Sequence, residues 1–182
     1  MRRRLPHLAL ALAAAASLAA CGGDDEPASS AAPAPGSTQA CETRPATAEA
    51  PAGVSTDLGV APGVPTTDAA PPCDLETSDV VVGTGAPATQ GSDVAVKYVG
   101  AFYGTGEEFD SSWSRGEDET LPVTVGAGRV IPGFDRAIDG MQVGGRRMVV
   151  IPSDLGYGPA GQGPIPGDAT LVFVIDLVQV SA

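Results

Sequence analysis

The stretch Leu171-Val172-Phe173-Val174-Ile175-Asp176-Leu177-Val178-Gln179-Val180 constrains the fold more than any other part of the chain. Alternation places Leu171, Phe173, Ile175 and Leu177 on one face of a strand and Val172, Val174, Val178 and Val180 on the other. Neither face is strongly polar, and β-branched and aromatic residues at this density predict a strand. Shorter segments repeat the signal. Val80-Val81-Val82 ends at Gly83-Thr84-Gly85, and Val94, Val96 and Tyr98 alternate with Ala95, Lys97 and Val99. Glu108-Phe109-Asp110 follows the turn Gly104-Thr105-Gly106. Leu121, Val123 and Val125 stop at Gly126, and Val149 and Ile151 follow Gly144-Gly145. Gly83, Gly100, Gly126 and Gly158 are read as turn glycines.

One helix is legible. Pro132 suits a first helical turn, where its missing N–H costs nothing. Phe134, Ile138 and Met141 make one apolar stripe, and Gly140 is a natural stop. So short a helix cannot stand alone and must lie against the sheet. Residues 75–182 therefore predict an α+β domain, a curved antiparallel β-sheet wrapped around one short α-helix. With 24 Gly and 17 Pro the chain is unsuited to a helical bundle.

The rest of the chain reads differently. Arg2, Arg3 and Arg4 precede an apolar run, Leu5 to Ala20, that is short for a spanning helix of about 20 residues. Residues 1–20 have the layout of a secretory signal. Leu18-Ala19-Ala20-Cys21 resembles the bacterial lipobox, which implies cleavage before Cys21 and a thiol carrying diacylglycerol, with palmitate among the acyl chains. Two or three acyl chains hold a protein firmly. Residues 21–74 are rich in Pro, Ala, Ser, Thr, Gly and Asp and lack apolar periodicity. They are read as a flexible, disordered stalk, with Val54, Leu58, Val60 and Val64 as a weak extended patch. Cys41 and Cys73 lie in it, in what export makes an oxidising compartment. A disulfide tying the stalk back to the domain's start and two free thiols are the alternative readings.

Charge and residue count exclude several chemistries. The net charge of −12 argues against nucleic-acid binding. Three Cys and one His give no Cys/His zinc framework, and His7 lies in the leader, so the mature chain lacks the histidine of a Ser-His-Asp or Cys-His mechanism. No metal or organic cofactor is implied.

Val96-Lys97-Tyr98-Val99-Gly100, Phe109-Asp110-Ser111-Ser112, Val130-Ile131-Pro132-Gly133-Phe134, Leu155-Gly156-Tyr157-Gly158, Ile165-Pro166 and Ala169-Thr170-Leu171-Val172-Phe173 occur in this order. In identity, order and spacing they resemble the FKBP-type peptidyl-prolyl cis-trans isomerases. The resemblance runs from about Leu75 to Val180 and implies that family's fold, a curved antiparallel sheet around one helix. It also implies rotation about X–Pro bonds, whose barrier of about 18–20 kcal/mol comes from amide resonance.

The resemblance implies a proline-ring cavity walled by Tyr98, Phe109, Val130, Ile131, Phe134, Tyr157 and Phe173. Phe134 would be its floor, where many members carry Trp. Asp110 would orient the twisting carbonyl, and the Tyr157 hydroxyl and Ile131 N–H would bind substrate carbonyls. Ile165 would lie on a flap over the pocket, Leu121 at its edge, and Arg115 beside Asp110 as its orienter. Tyr98, Phe109, Asp110, Ile131 and Tyr157 are thus the catalytic candidates. Phe109 and Asp110 are adjacent, so strict alternation sends them to opposite faces, and both reach a pocket only across a bulge. Trp113 is read as a loop anchor and Arg146-Arg147 as a solvated strand start. The flap Ala160-Gly161-Gln162-Gly163-Pro164 departs from the best-known members, and the turn between Tyr157 and Thr170 leaves no room for an inserted chaperone domain.

The expected protein is a monomeric isomerase of exported, Pro-containing polypeptides. It would be lipid-anchored through Cys21 on the extracytoplasmic face of the cell membrane, with tacrolimus-type macrolides as candidate ligands. The alternatives are a non-catalytic proline-peptide binding module or chaperone, and a structural envelope lipoprotein that shares only the fold.

Overall fold

The computed structural model describes residues 41–47 and 52–181. The strands are β1 (Glu76–Val81), β2 (Asp93–Phe102), β3 (Glu108–Ser111), β4 (Leu121–Thr124), β5 (Arg146–Ile151) and β6 (Leu171–Ser181). The helix α1 (Pro132–Ile138) lies between β4 and β5. The sheet is antiparallel in the order β1-β5-β6-β2-β3, and β4 also pairs with β2. Strand β2 is the hinge of this arrangement. β6 runs along one side of it, while β4 takes Asp93–Val96 and β3 takes Val99–Ala101 on the other.

The helix begins at Pro132 and ends at Ile138, with Asp139 as its C-terminal cap. Gly140 follows with φ +77°, the left-handed conformation that lets the chain leave a helix cheaply. The expected stripe holds: Phe134, Ile138 and Met141 are all buried. They meet Val96, Tyr98, Val149, Ile151, Leu171, Phe173, Ile175 and Leu177 in one core. Gly133 makes the approach possible, since a Cβ there would stand 2.4 Å from Ile151 Cγ2.

The other face of the sheet is apolar too, as β6 requires. Val99, Ala101, Val150, Val172 and Val174 are buried there. Residues 52–72 provide cover. Thr67 N–H bonds to the Gly104 carbonyl at 3.1 Å. A cavity of about 290 Å³ is lined from one side by Pro65, Thr66 and Thr67 and from the other by Met148, Val150 and Val172. Residues 42–47 run parallel to residues 72–77, which lead into β1, through Glu42↔Pro72 and Thr47↔Thr77 bridges. They cover an edge that would otherwise offer open N–H and C=O groups. A disulfide joins Cys41 to Cys73.

A flexible stalk does not describe these residues. Residues 41–47 and 52–74 form an ordered strap; Val54 is buried, Leu58 and Val64 are half-buried, and Val60 is exposed. Periodicity missed it because its hold is mostly carbonyl oxygens and prolines, not a patterned apolar face. The signal peptide, Cys21 and the rest of the expected stalk lie outside the described residues.

Arg146 corrects a second expectation. It is wholly buried, not a solvated strand start. Its Nε and Nη2 donate to Asp176 Oδ1 and Oδ2 at 2.5 and 2.7 Å. Nη1 donates to the carbonyls of Ser55 and Asp57, and Nη2 to that of Val60. Arg147 is not free either: it pairs with Asp79 and donates to the Ala137 and Asp139 carbonyls at the end of α1. Among the described residues no helix is long and apolar enough to cross a membrane.

Candidate active site

On the helix side of the sheet a cavity of about 550 Å³ opens. Tyr98 and Phe173 come from paired strands, Phe134 from the first turn of α1, and Phe109 from β3. The rings meet edge to face. Phe134 and Phe173 have centroids 5.2 Å apart at 81°, Phe109 and Phe173 5.6 Å at 84°, and Tyr98 and Phe134 5.8 Å at 83°. This is the arrangement that aromatic quadrupoles favour. Gly100 sits beneath them, in mid-strand and buried, so it is not a turn glycine. A Cβ there would come within 2.7 Å of Phe173 and 2.9 Å of Phe109.

The bulge that Phe109 and Asp110 need is present. Gly100 faces Asp110 and Ala101 faces Glu108, which leaves Phe109 as the extra residue. Both side chains consequently line the cavity. Asp110 is held by three donors. The Tyr98 hydroxyl donates to Oδ2 at 2.5 Å, Arg115 Nη1 to Oδ1 at 2.7 Å, and the Ser111 N–H to Oδ1 at 2.9 Å. Arg115 Nη2 also donates to the Tyr98 hydroxyl at 2.9 Å. Burial pushes the Asp110 carboxyl up, but Tyr98, Arg115 and Ser111 together outweigh it, so the pKa lies below the usual carboxylate value. Burial, then the bond to Asp110, raises the Tyr98 hydroxyl against the pull of Arg115.

Two donors in the cavity are uncommitted. Ile131 precedes the helix in extended conformation, and its carbonyl accepts from Phe134 and Asp135. Its N–H has no acceptor among the described residues. The Tyr157 hydroxyl likewise has none, and burial and the nearby Asp110 charge raise its pKa, keeping it a donor.

The structure brings Tyr98, Phe109, Asp110, Leu121, Val130, Ile131, Phe134, Tyr157 and Phe173 to one cavity. It leaves two candidates off the wall. Arg115 stands behind Asp110. Ile165 is 7% exposed and packed in the core, where its N–H and carbonyl bond to Gln162. Gln162 lines the cavity in its place, because the turn exchanging those bonds sends Ile165 inward. Gly156, Gln162 and Arg129 are wall residues that sequence reasoning missed. The only signal for Arg129 was its position directly before Val130-Ile131. Trp113 anchors a short turn, with the Lys97 ammonium 4.0 Å from its ring centroid. Among the described residues no cluster of His, Cys, Asp or Glu could hold a metal.

The profile for FKBP-type peptidyl-prolyl cis-trans isomerase matches residues 85–178. An FK506-binding protein of Streptomyces anulatus is 50% identical over 112 residues, which is 60% of this chain and 89% of that one. A probable FK506-binding protein of Corynebacterium glutamicum is 49% identical over 108 residues, 59% of this chain and 88% of the relative. Among solved structures, AtFKBP13 superposes with a TM-score of 0.55 at 34% identity, over 61% of this chain and 96% of its own. FkpA from Escherichia coli gives a TM-score of 0.54 at 34% identity, over 65% of this chain and 52% of its own.

Proposed function

We propose that this chain, which belongs to the FKBP-type peptidyl-prolyl cis-trans isomerases, acts on X–Pro bonds of exported polypeptides at the outer face of the cytoplasmic membrane. The observation that carries the catalytic reading is the aromatic cavity with one fixed anion and two open donors. Rotating a prolyl amide breaks its resonance, so in the twisted state the nitrogen is less positive and the oxygen less negative. A hollow of edge-packed rings favours that less polar state over the planar one, because both are removed from water but the planar amide loses more solvation. Phe134 and Phe173 would hold the proline ring. The Ile131 N–H and Tyr157 hydroxyl would bind substrate carbonyls and fix the chain on either side of the rotating bond. Asp110, its charge held by Tyr98, Arg115 and Ser111, would orient the swinging carbonyl.

Free X–Pro bonds take tens to hundreds of seconds to isomerise, so a modest reduction of the barrier matters to a chain folding outside the cell. The location rests on the sequence pattern of residues 1–21, with lipid on Cys21 as the tether. The names of the bacterial relatives support FK506-type macrolides as competitors for the same cavity. A protease-coupled assay on an Xaa-Leu-Pro-Phe peptide tests the activity. Acceleration that tacrolimus suppresses is expected, whereas a rate equal to buffer would leave a peptide-binding module. Cys21→Ala should release the protein from membranes, and continued membrane association would end the lipoprotein reading.

A further inference from the structure

Arg129 is the one cavity residue whose charge has no internal task. It is exposed, it lines the cavity, and it forms no hydrogen bond or ion pair among the described residues. Arg115, the other cation at the site, is committed to Asp110 and Tyr98. Asp110 is therefore matched, and the guanidinium of Arg129 is the surplus charge at the mouth.

Its position is also held. Asp135, buried in α1, accepts from the Gly126 N–H at 2.7 Å and the Gly128 N–H at 3.1 Å. These bonds pin the loop that delivers Arg129 to the rim. Two residues further on is the open N–H of Ile131. A peptide whose carbonyl bonds to that N–H carries its neighbouring side chains past Arg129. A guanidinium offers a planar fork that matches a carboxylate. The chain as a whole carries −12, which repels acidic peptides at a distance, so attraction must be local to the rim; charges further off are screened beyond about 8 Å.

Resting on the isomerase reading, we propose that Arg129 is a specificity-determining residue that favours substrates with an acidic side chain flanking the X–Pro bond. The test uses the full chain and three peptides that differ only in the residues on either side of Leu-Pro-Phe: Glu, Gln or Lys. Isomerisation is read by NMR exchange, without a coupling protease, and binding by titration of the same peptides. The Glu peptide should exceed the Lys peptide about fivefold in kcat/KM, the scale of an exposed ion pair, chiefly through KM. The ratio should shrink in 1 M salt. Arg129→Gln should remove the preference and Arg129→Glu should reverse it. Equal values for the three peptides, or an unchanged order in Arg129→Glu, would overturn the proposal. If no peptide is turned over, the isomerase reading fails by itself. Tighter binding of the Glu peptide, reversed in Arg129→Glu, would still uphold the acidic preference, and equal binding would sink it.

Discussion

Of the sheet's Arg–Asp pairs, two lie on opposite faces and have opposite fates. On the strap side, Arg146 and Asp176 are 0% and 7% exposed. On the cavity side, Arg115 and Asp110 are 47% and 46% exposed. Both pairs meet at hydrogen-bond distance. In the first, water is gone, every guanidinium bond goes to protein, and burial raises the Asp176 carboxyl although Arg146 opposes it. In the second, one side of the carboxylate still faces a cavity, and its donors lower it despite burial. The same chemical pair is thus an anchor where it is sealed, and where it is left half open it presents a fixed anion to the cavity.

The largest effect should come from breaking the sealed pair. Arg146→Met strands a buried carboxylate and three strap carbonyls, and should cost about 3–5 kcal/mol in urea unfolding. Adding Asp176→Leu should recover most of it, since the isolated charge is the expensive part. A loss below about 1 kcal/mol would erase the distinction between the faces. Next, Cys41→Ser with Cys73→Ser opens a loop with a sequence separation of 32, which should remove about 3 kcal/mol of stability. Isomerase activity at low temperature should persist, because the strap lies on the face opposite the cavity. A collapse of kcat/KM in the folded variant would couple the two faces.

Asp110→Val should lower kcat/KM about tenfold, with stability within about 1–2 kcal/mol of the parent. An unchanged rate would remove Asp110 from the reaction. Arg115→Gln should cost less than about 1 kcal/mol in stability, as exposed pairs do, and about threefold in activity by loosening Asp110. The smallest effect is with pH. A folded pKa below the ordinary carboxylate value means that any stability from Asp110 is present above about pH 4 and lost as pH falls through the folded pKa. Activity should therefore stay flat from pH 8 to about 5. An inflection within that window would assign the charge to another group.

The cavity was legible because its residues come as contiguous motifs. Val130-Ile131-Pro132-Gly133-Phe134 delivers an open N–H, a helix start and a ring in one stretch. Asp110 beside Phe109 even announced the bulge, since alternation alone could not place both. Gly100 was misread because turn and close approach both require glycine, and only the rings of Phe109 and Phe173 reveal which applies. Ile165 differs for a related reason: Gln162 and Ile165 are the paired ends of one tight turn, three residues apart, and packing alone decides which end faces the cavity.

The sequence by itself determined the strands, the helix, the family and most of the cavity's lining, because each rests on local periodicity or on residues close together in the chain. Only the tertiary structure decided where Arg146 goes, what covers the second apolar face of β6, and that residues 41–47 and 52–74 belong to the fold. Those outcomes depend on backbone carbonyls and a buried charge meeting across long separations. Neither backbone polarity nor distant pairing leaves a periodic mark in a sequence.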